Sequence, residues 1–150
     1  MARIAGAQIG LMGRELKRSS GLQTFYYRIA TVTTANGDVI VLDYIPHAVK
    51  AYRTRVYVTA TDADMTATLG HYTDDGSAAT VVDADSIASG IAFSGAGPTE
   101  YMPPVATAGT VIPGGTVTDG ATTAHALCLT LTNDGTAWSG LVAVTVEPVA

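Results

Sequence analysis

The chain has 150 residues, enough for one ordinary domain that buries a core without disulfide or metal staples. Hydrophobic residues make up 47% of it, much of that Ala and Val, and charged residues only 14%, which excludes a disordered chain, poor in Val and rich in charge. The net charge of −5 offers a nucleic acid no general basic field, and no stretch is long and apolar enough to read as a membrane-spanning helix.

Residues 1–22 read as an extended N-terminal arm. Small residues and Gly punctuate it, Ile4, Ile9, Leu11, Met12 and Leu16 are its sizeable apolar side chains, and there is room for a short helix over 11–18. Its opening does not read as a signal peptide, because the apolar run is broken by Gly and Gln and then meets Arg14. "GRELKRSS" gathers Arg14, Lys17 and Arg18, either as a solvated arm or as a grip on an acidic partner surface.

From Gln23 the pattern becomes β. "QTFYYRIATVTT" is aromatic and β-branched, Asn36-Gly37 is a tight-turn signal, and "DVIVLDYI" follows, so residues 24–45 read as a hairpin ended by Pro46. In "KAYRTRVYVTATD", Val56, Val58 and Ala60 alternate with Arg55, Tyr57 and Thr59, as in a strand with one face in a core. A short turn at Asp62-Ala63-Asp64 leads to the strand "MTATLGHYT", and "DDGSAA" turns the chain again. That makes "TDADMTATLGHYTDDG" a hairpin bounded by Asp turns, with His71 toward solvent or a subunit interface and Gly70 where a bulge or close packing excludes a side chain. "TVVDADSIASGIAF" reads as a short strand or helical turn and then a strand.

Residues 94–123 change character. Gly, Pro, Thr and Ala dominate, leaving Val105, Val111 and Ile112 as core candidates in a long loop with at most one short edge strand. "HALCLTLTN" and "GLVAVTVEP" close the chain as a hairpin with a wide loop, Leu127, Leu129 and Leu131 on one face and Val142, Val144 and Val146 on the other strand's core face. Trp138 covers one end of the core, and Cys128 is a buried small hydrophobe. Roughly seven to nine short strands with close turn signals and no long amphipathic helix predict an all-β antiparallel sandwich or jelly roll over 23–150.

Candidate chemistry is sparse. An EF-hand begun at Asp62 puts Ala67 where Gly is needed and Thr73 where Glu is needed. Asp62, Asp64, Asp74 and Asp75, with Asp83 and Asp85, are the calcium candidates if loops converge at one end; turn capping by Asp accounts for the same residues. His47, His71, His125 and Cys128 are the only zinc-type ligands, and His125 and Cys128 fall on opposite faces of a strand. Ser94 lacks the nucleophile-elbow context, and no phosphate loop occurs. Phe25 and Tyr26, Tyr27, Tyr44, Tyr52, Tyr57, Tyr72 and Tyr101 could build a sugar-binding face or divide between core and interface. The expectation is a chain that is not an enzyme and takes no cofactor.

"NGDVIVLDYIPHAVK" followed by "RVYVTATDADMTATLGHYTDDGSAA", then "DADSIASG", a Gly/Pro loop and "LTLTNDGTAWSGLVAVTVEP", resembles the small β-sandwich structural proteins of tailed-bacteriophage virions, of the capsid decoration or cement type. The resemblance spans about residues 30–147 and leaves the arm outside it. It implies a protein made in the host cytoplasm that sits on the outer capsid surface, as a homotrimer, and clamps major capsid subunits. The arm, through Arg14, Lys17 and Arg18, and the 94–123 loop, through Tyr101 and Met102, are the expected contact segments. The alternative is a carbohydrate- or receptor-binding module of a tail or fibre. Neither reading involves a nucleic acid or a membrane.

Overall fold

The computed structural model describes residues 3–4, 9–11, 21–115, 123–133 and 137–149. These form eleven strands and no helix: β1 (Arg3–Ile4), β2 (Ile9–Leu11), β3 (Gln23–Val32), β4 (Val39–Tyr44), β5 (Val49–Ala60), β6 (Thr66–Asp74), β7 (Ala79–Ala92), β8 (Gly97–Tyr101), β9 (Val111–Ile112), β10 (Ala124–Thr132) and β11 (Trp138–Pro148). One sheet runs β1-β4-β10-β6-β7 and the other β2-β3-β11-β5-β8, with β9 also on β5. All pairings are antiparallel except β1 on β4. Strands β1 and β2 thus place the described part of the N-terminal segment in both sheets of its own chain.

The alternation in the sequence is the alternation of burial. Phe25, Tyr27 and Ile29 of β3, Val56 and Val58 of β5, and Val142, Val144 and Val146 of β11 meet Ile40 and Leu42 of β4, Leu69 of β6 and Leu127, Leu129 and Leu131 of β10 in one core between the sheets. Each such side chain contributes about 1.5–3 kcal/mol by leaving water. A second buried cluster, including Val39, Val41, Tyr72, Ala126 and Cys128, lies on the opposite face of the β4–β10–β6 sheet. Strand β4 is therefore apolar on both faces, and "VIVL" reads as a run rather than an alternation. Trp138 is fully buried at the start of β11, its ring 4.5 Å from that of Phe93, and its indole N–H donates to Thr34 Oγ1 at 3.0 Å.

Three hairpins expected from the sequence are connections between sheets. Strand β3 belongs to one sheet and β4 to the other, although the Asn36-Gly37 turn exists and Gly37 has φ 86°. Asp38 accepts the Ala35 N–H on Oδ2, and Gly37 N–H donates to Leu131 O, so the turn is tied to β10 and does not close onto β3. Asp62-Ala63-Asp64 likewise carries the chain from β5 to β6 across the sandwich, with Asp62 N–H donating to Phe93 O. Strands β10 and β11 are not neighbours: β10 lies between β4 and β6, β11 between β3 and β5. Their Leu and Val faces meet across the core, and alternation alone does not separate that arrangement from side-by-side pairing. Of the two turns that bound the Asp-rich strand, only the one between β6 and β7 closes a local hairpin. The described residues of the 94–123 segment hold two short strands, β8 and β9, both on β5, where at most one was expected. Residues 79–92 form one long strand with irregular register instead of a helical turn and a strand.

Gly70 faces the β7 backbone so closely that a Cβ would lie 2.1 Å from Asp83 O and 2.3 Å from Ala84 C. The β6–β7 register shifts between Leu69 and His71, a bulge that uses this closeness.

Candidate functional site

The Asp-rich turns are built by their own side chains. Asp75 Oδ1 accepts the N–H groups of Ser77 and Ala78 at 2.8 and 2.7 Å, Asp62 Oδ1 accepts Asp64 N–H at 3.2 Å, and Asp83 Oδ1 accepts Asp85 N–H at 3.3 Å. Such contacts satisfy backbone donors that a turn leaves unpaired. Asp62 and Asp64 precede β6, whereas Asp74 and Asp75 end it, roughly 25–30 Å away along a nine-residue strand. The four do not converge, and among the described residues no group of three or more His, Cys, Asp or Glu is placed to hold a metal ion.

Asp74 has a different role. It is buried, receives both Nε and Nη2 of Arg3 at 2.6 and 2.8 Å, and accepts the Tyr44 hydroxyl at 2.7 Å. The Arg3 hydrogen bond, above all, holds its carboxyl below the usual range against the opposing effect of burial. Sequence reading placed neither Arg3 nor Tyr44 here, because the pair joins residues far apart in the chain.

His71 does not point to solvent. It is 4% exposed, on the core face of β6, with Nε2 2.7 Å from His125 Nδ1 on β10. One ring's N–H donates to the other ring's lone pair in this bond. Burial, then the neighbouring His125, push the His71 pKa down to about 4, and Asp83 opposes them. His125 was expected opposite Cys128, and the two do face opposite ways; its pairing with His71 needed the β6–β10 register, in which His71 lies across from Leu127 and His125 across from Thr73. Cys128 is buried, and burial pushes its thiol up to about 12.

His71, but not His125, borders a cavity of about 220 Å³, lined also by Asp83, Ser86, Thr107, Val111 and Ile112 among others. Thr107 and Thr110 of the 102–110 turn line one side of it. The Pro104 carbonyl accepts the N–H groups of Thr107 and Ala108, and the Thr107 hydroxyl lies 3.1 Å from Ser86 O, strapping the turn to β7. Of the core candidates in this segment, Val105 is 97% exposed and Val111 44%, and only Ile112 is buried. Val105 sits at the tip of the turn, so its exposure follows from the strap beneath it.

Tyr101 and Met102, expected together as contact residues, differ. Tyr101 is half-buried against the core and its phenol oxygen accepts Ala92 N–H at 3.1 Å, whereas Met102 is 64% exposed. Arg14, Lys17 and Arg18 lie outside the described residues. The aromatic set is divided: Phe25, Tyr27 and Tyr72 are buried, Tyr44 and Tyr52 donate to Asp74 and Glu147, and Tyr26 and Tyr57 stand on the outer face of the β3–β11–β5 sheet. No known protein family matches the chain, and neither does any curated protein or solved structure.

Proposed function

We propose that this protein is a non-enzymatic capsid decoration protein, which binds the outer surface of a phage head and stabilises contacts between major capsid subunits. One observation carries the reading beyond the resemblance in sequence. The segment 102–115, "MPPVATAGTVIPGG", contains no charged residue, and it presents Met102 and Val105 to solvent beside the partly exposed Val111 and Val82 of the cavity rim. An apolar, uncharged patch of this kind suits a protein partner better than a soluble substrate, and a chain with only 14% charged residues fits a surface rich in contacts. The strap through Thr107 and Ser86 holds the patch in a fixed shape, so little ordering entropy opposes docking.

Density-gradient sedimentation of a lysate from the source, followed by detection of this chain across the fractions, tests the reading. Comigration with intact particles, and weaker particles once the chain is stripped off, is the expected result. A Met102→Asp, Val105→Asp double variant should keep its melting temperature and lose comigration. Recovery of the native chain only in soluble fractions would overturn the proposal.

A further inference from the structure

We propose that the outer face of the β2–β3–β11–β5–β8 sheet is where one copy of this chain holds the β7 edge of the next. This does not rest on the capsid reading, because it concerns the purified chain alone.

The face is a shallow trough. Its floor is the central strand β11, which shows the small side chains of Ala143 and Thr145; its walls are Tyr26 of β3 and Arg53, Arg55 and Tyr57 of β5, enclosing about 70 Å³. Arg28 stands on the same face, one cross-strand row further along, opposite Leu141. The hydroxyls here are used on one another, Thr24 with Thr145 at 2.8 Å and Thr59 with Ser139 at 2.7 Å. The backbone of the three central strands is committed to the sheet. What the face still offers is guanidinium. Arg55 is tied to Glu100 at 3.1 Å, but Arg28 and Arg53 make no side-chain hydrogen bond or ion pair among the described residues. A chain of net charge −5 thus collects uncommitted positive charge on one face, flanked by aromatic rings.

The complementary surface is on the other sheet. Strand β7 is its edge, and Asp83 and Asp85 stand two residues apart there with no Arg or Lys paired to either among the described residues. The contact with Asp83 holds the Asp85 carboxyl above its usual range, as expected of two carboxylates without a cation between them. Val81, more than half exposed, precedes them. Carboxylates beside apolar side chains are what forked guanidiniums and Tyr rings accommodate. The two surfaces differ, so the contact is head-to-tail and closes into a ring if the rotation allows.

Sedimentation velocity of the purified full chain tests this. At low salt the chain should sediment faster than a 15.3 kDa monomer, and the excess should disappear at about 0.5 M NaCl, where the screening length is only a few ångströms. Arg28→Glu/Arg53→Glu should run as a monomer, and so should Asp85→Arg; an equimolar mixture of the two should recover the oligomer, since each supplies the surface the other lacks. Circular dichroism establishes that each variant is folded, and the milder Arg28→Gln/Arg53→Gln replaces the reversal if it is not. A native chain that is monomeric at low salt, an oligomer unchanged by the Arg variants, or a mixture that stays monomeric would each overturn the proposal.

Discussion

Arg3 grips Asp74 with two nitrogens, at 2.6 and 2.8 Å, and so fastens the first described strand to the far end of β6. The carboxylate is buried and the guanidinium partly exposed. Removing the cation leaves Asp74 with only neutral donors, the Tyr44 hydroxyl and the Gly76 backbone N–H. Arg3→Ala should therefore cost about 1.5–3 kcal/mol in chemical denaturation. Because the folded carboxyl is held below its ordinary pKa, the stability it contributes is present above that ordinary value and is lost as pH falls through the folded one. The difference between native and Arg3→Ala chains should shrink in strong acid; a constant difference would assign the effect to packing.

His71 gives a second acid-sensitive contribution, in a higher window. Its folded pKa of about 4 lies below the ordinary 6.5, so between these values the unfolded chain binds a proton that the folded chain does not. Stability is full above about pH 6.5 and falls toward pH 4, by about 3 kcal/mol, on the order of 10 °C in Tm. In His71→Gln that slope should flatten. Melting curves across this range decide it.

Gly70→Ala should be strongly destabilising, because the new methyl would overlap the Asp83 carbonyl and the Ala84 backbone. A shift of β7 must accommodate it, at about 1–3 kcal/mol or more. A variant with native stability would mean that β7 moves freely against β6.

Trp138→Phe keeps most of the buried ring but deprives Thr34 Oγ1 of its indole donor, at a cost of about 1–3 kcal/mol. Trp138→Ala should cost about 3–5 kcal/mol and loosen the packing of Phe93 as well. Equal losses in the two variants would mean that the hydrogen bond, not the ring, dominates.

Cys128 should resist thiol reagents in the folded chain, since burial both screens it and disfavours the thiolate. Labelling at neutral pH should follow global unfolding in denaturant. Rapid labelling of the native chain would require local opening of β10.

Class, strands and core were legible because they depend on local patterns. The Leu127, Leu129, Leu131 and Val142, Val144, Val146 series both end in the core, and Gly70 marks close packing as its place in a strand suggested. The capping work of Asp62, Asp75 and Asp83 was legible for the same reason, since it spans two or three residues. Which strands pair was not. Asn36-Gly37 signals a turn, and a turn does not state whether the chain returns beside its own strand or crosses to the facing sheet. Arg3–Asp74 and His71–His125 depend on that pairing, and both were invisible to any local pattern. Val105 was misplaced because a Val within a Gly/Pro segment carries no periodicity to show its side.

The path that alternates between sheets has a consequence for how the protein is made. Strands β10 and β11 come late in the chain, yet each has a strand hydrogen-bonded along both of its edges, β4 and β6 beside one, β3 and β5 beside the other. Until they arrive, β4 and β6 have no common neighbour, nor have β3 and β5, and the earlier strands can form only separate pairings, β1–β4, β2–β3, β6–β7, and β8 and β9 on β5, that do not yet join into two sheets. Folding must wait for nearly the whole chain and then proceed through distant pairings, which makes it slow relative to its stability. During synthesis the emerging strands would present unpaired edges for the longest part of the protein's life before completion, a period in which a chaperone or rapid release decides the yield.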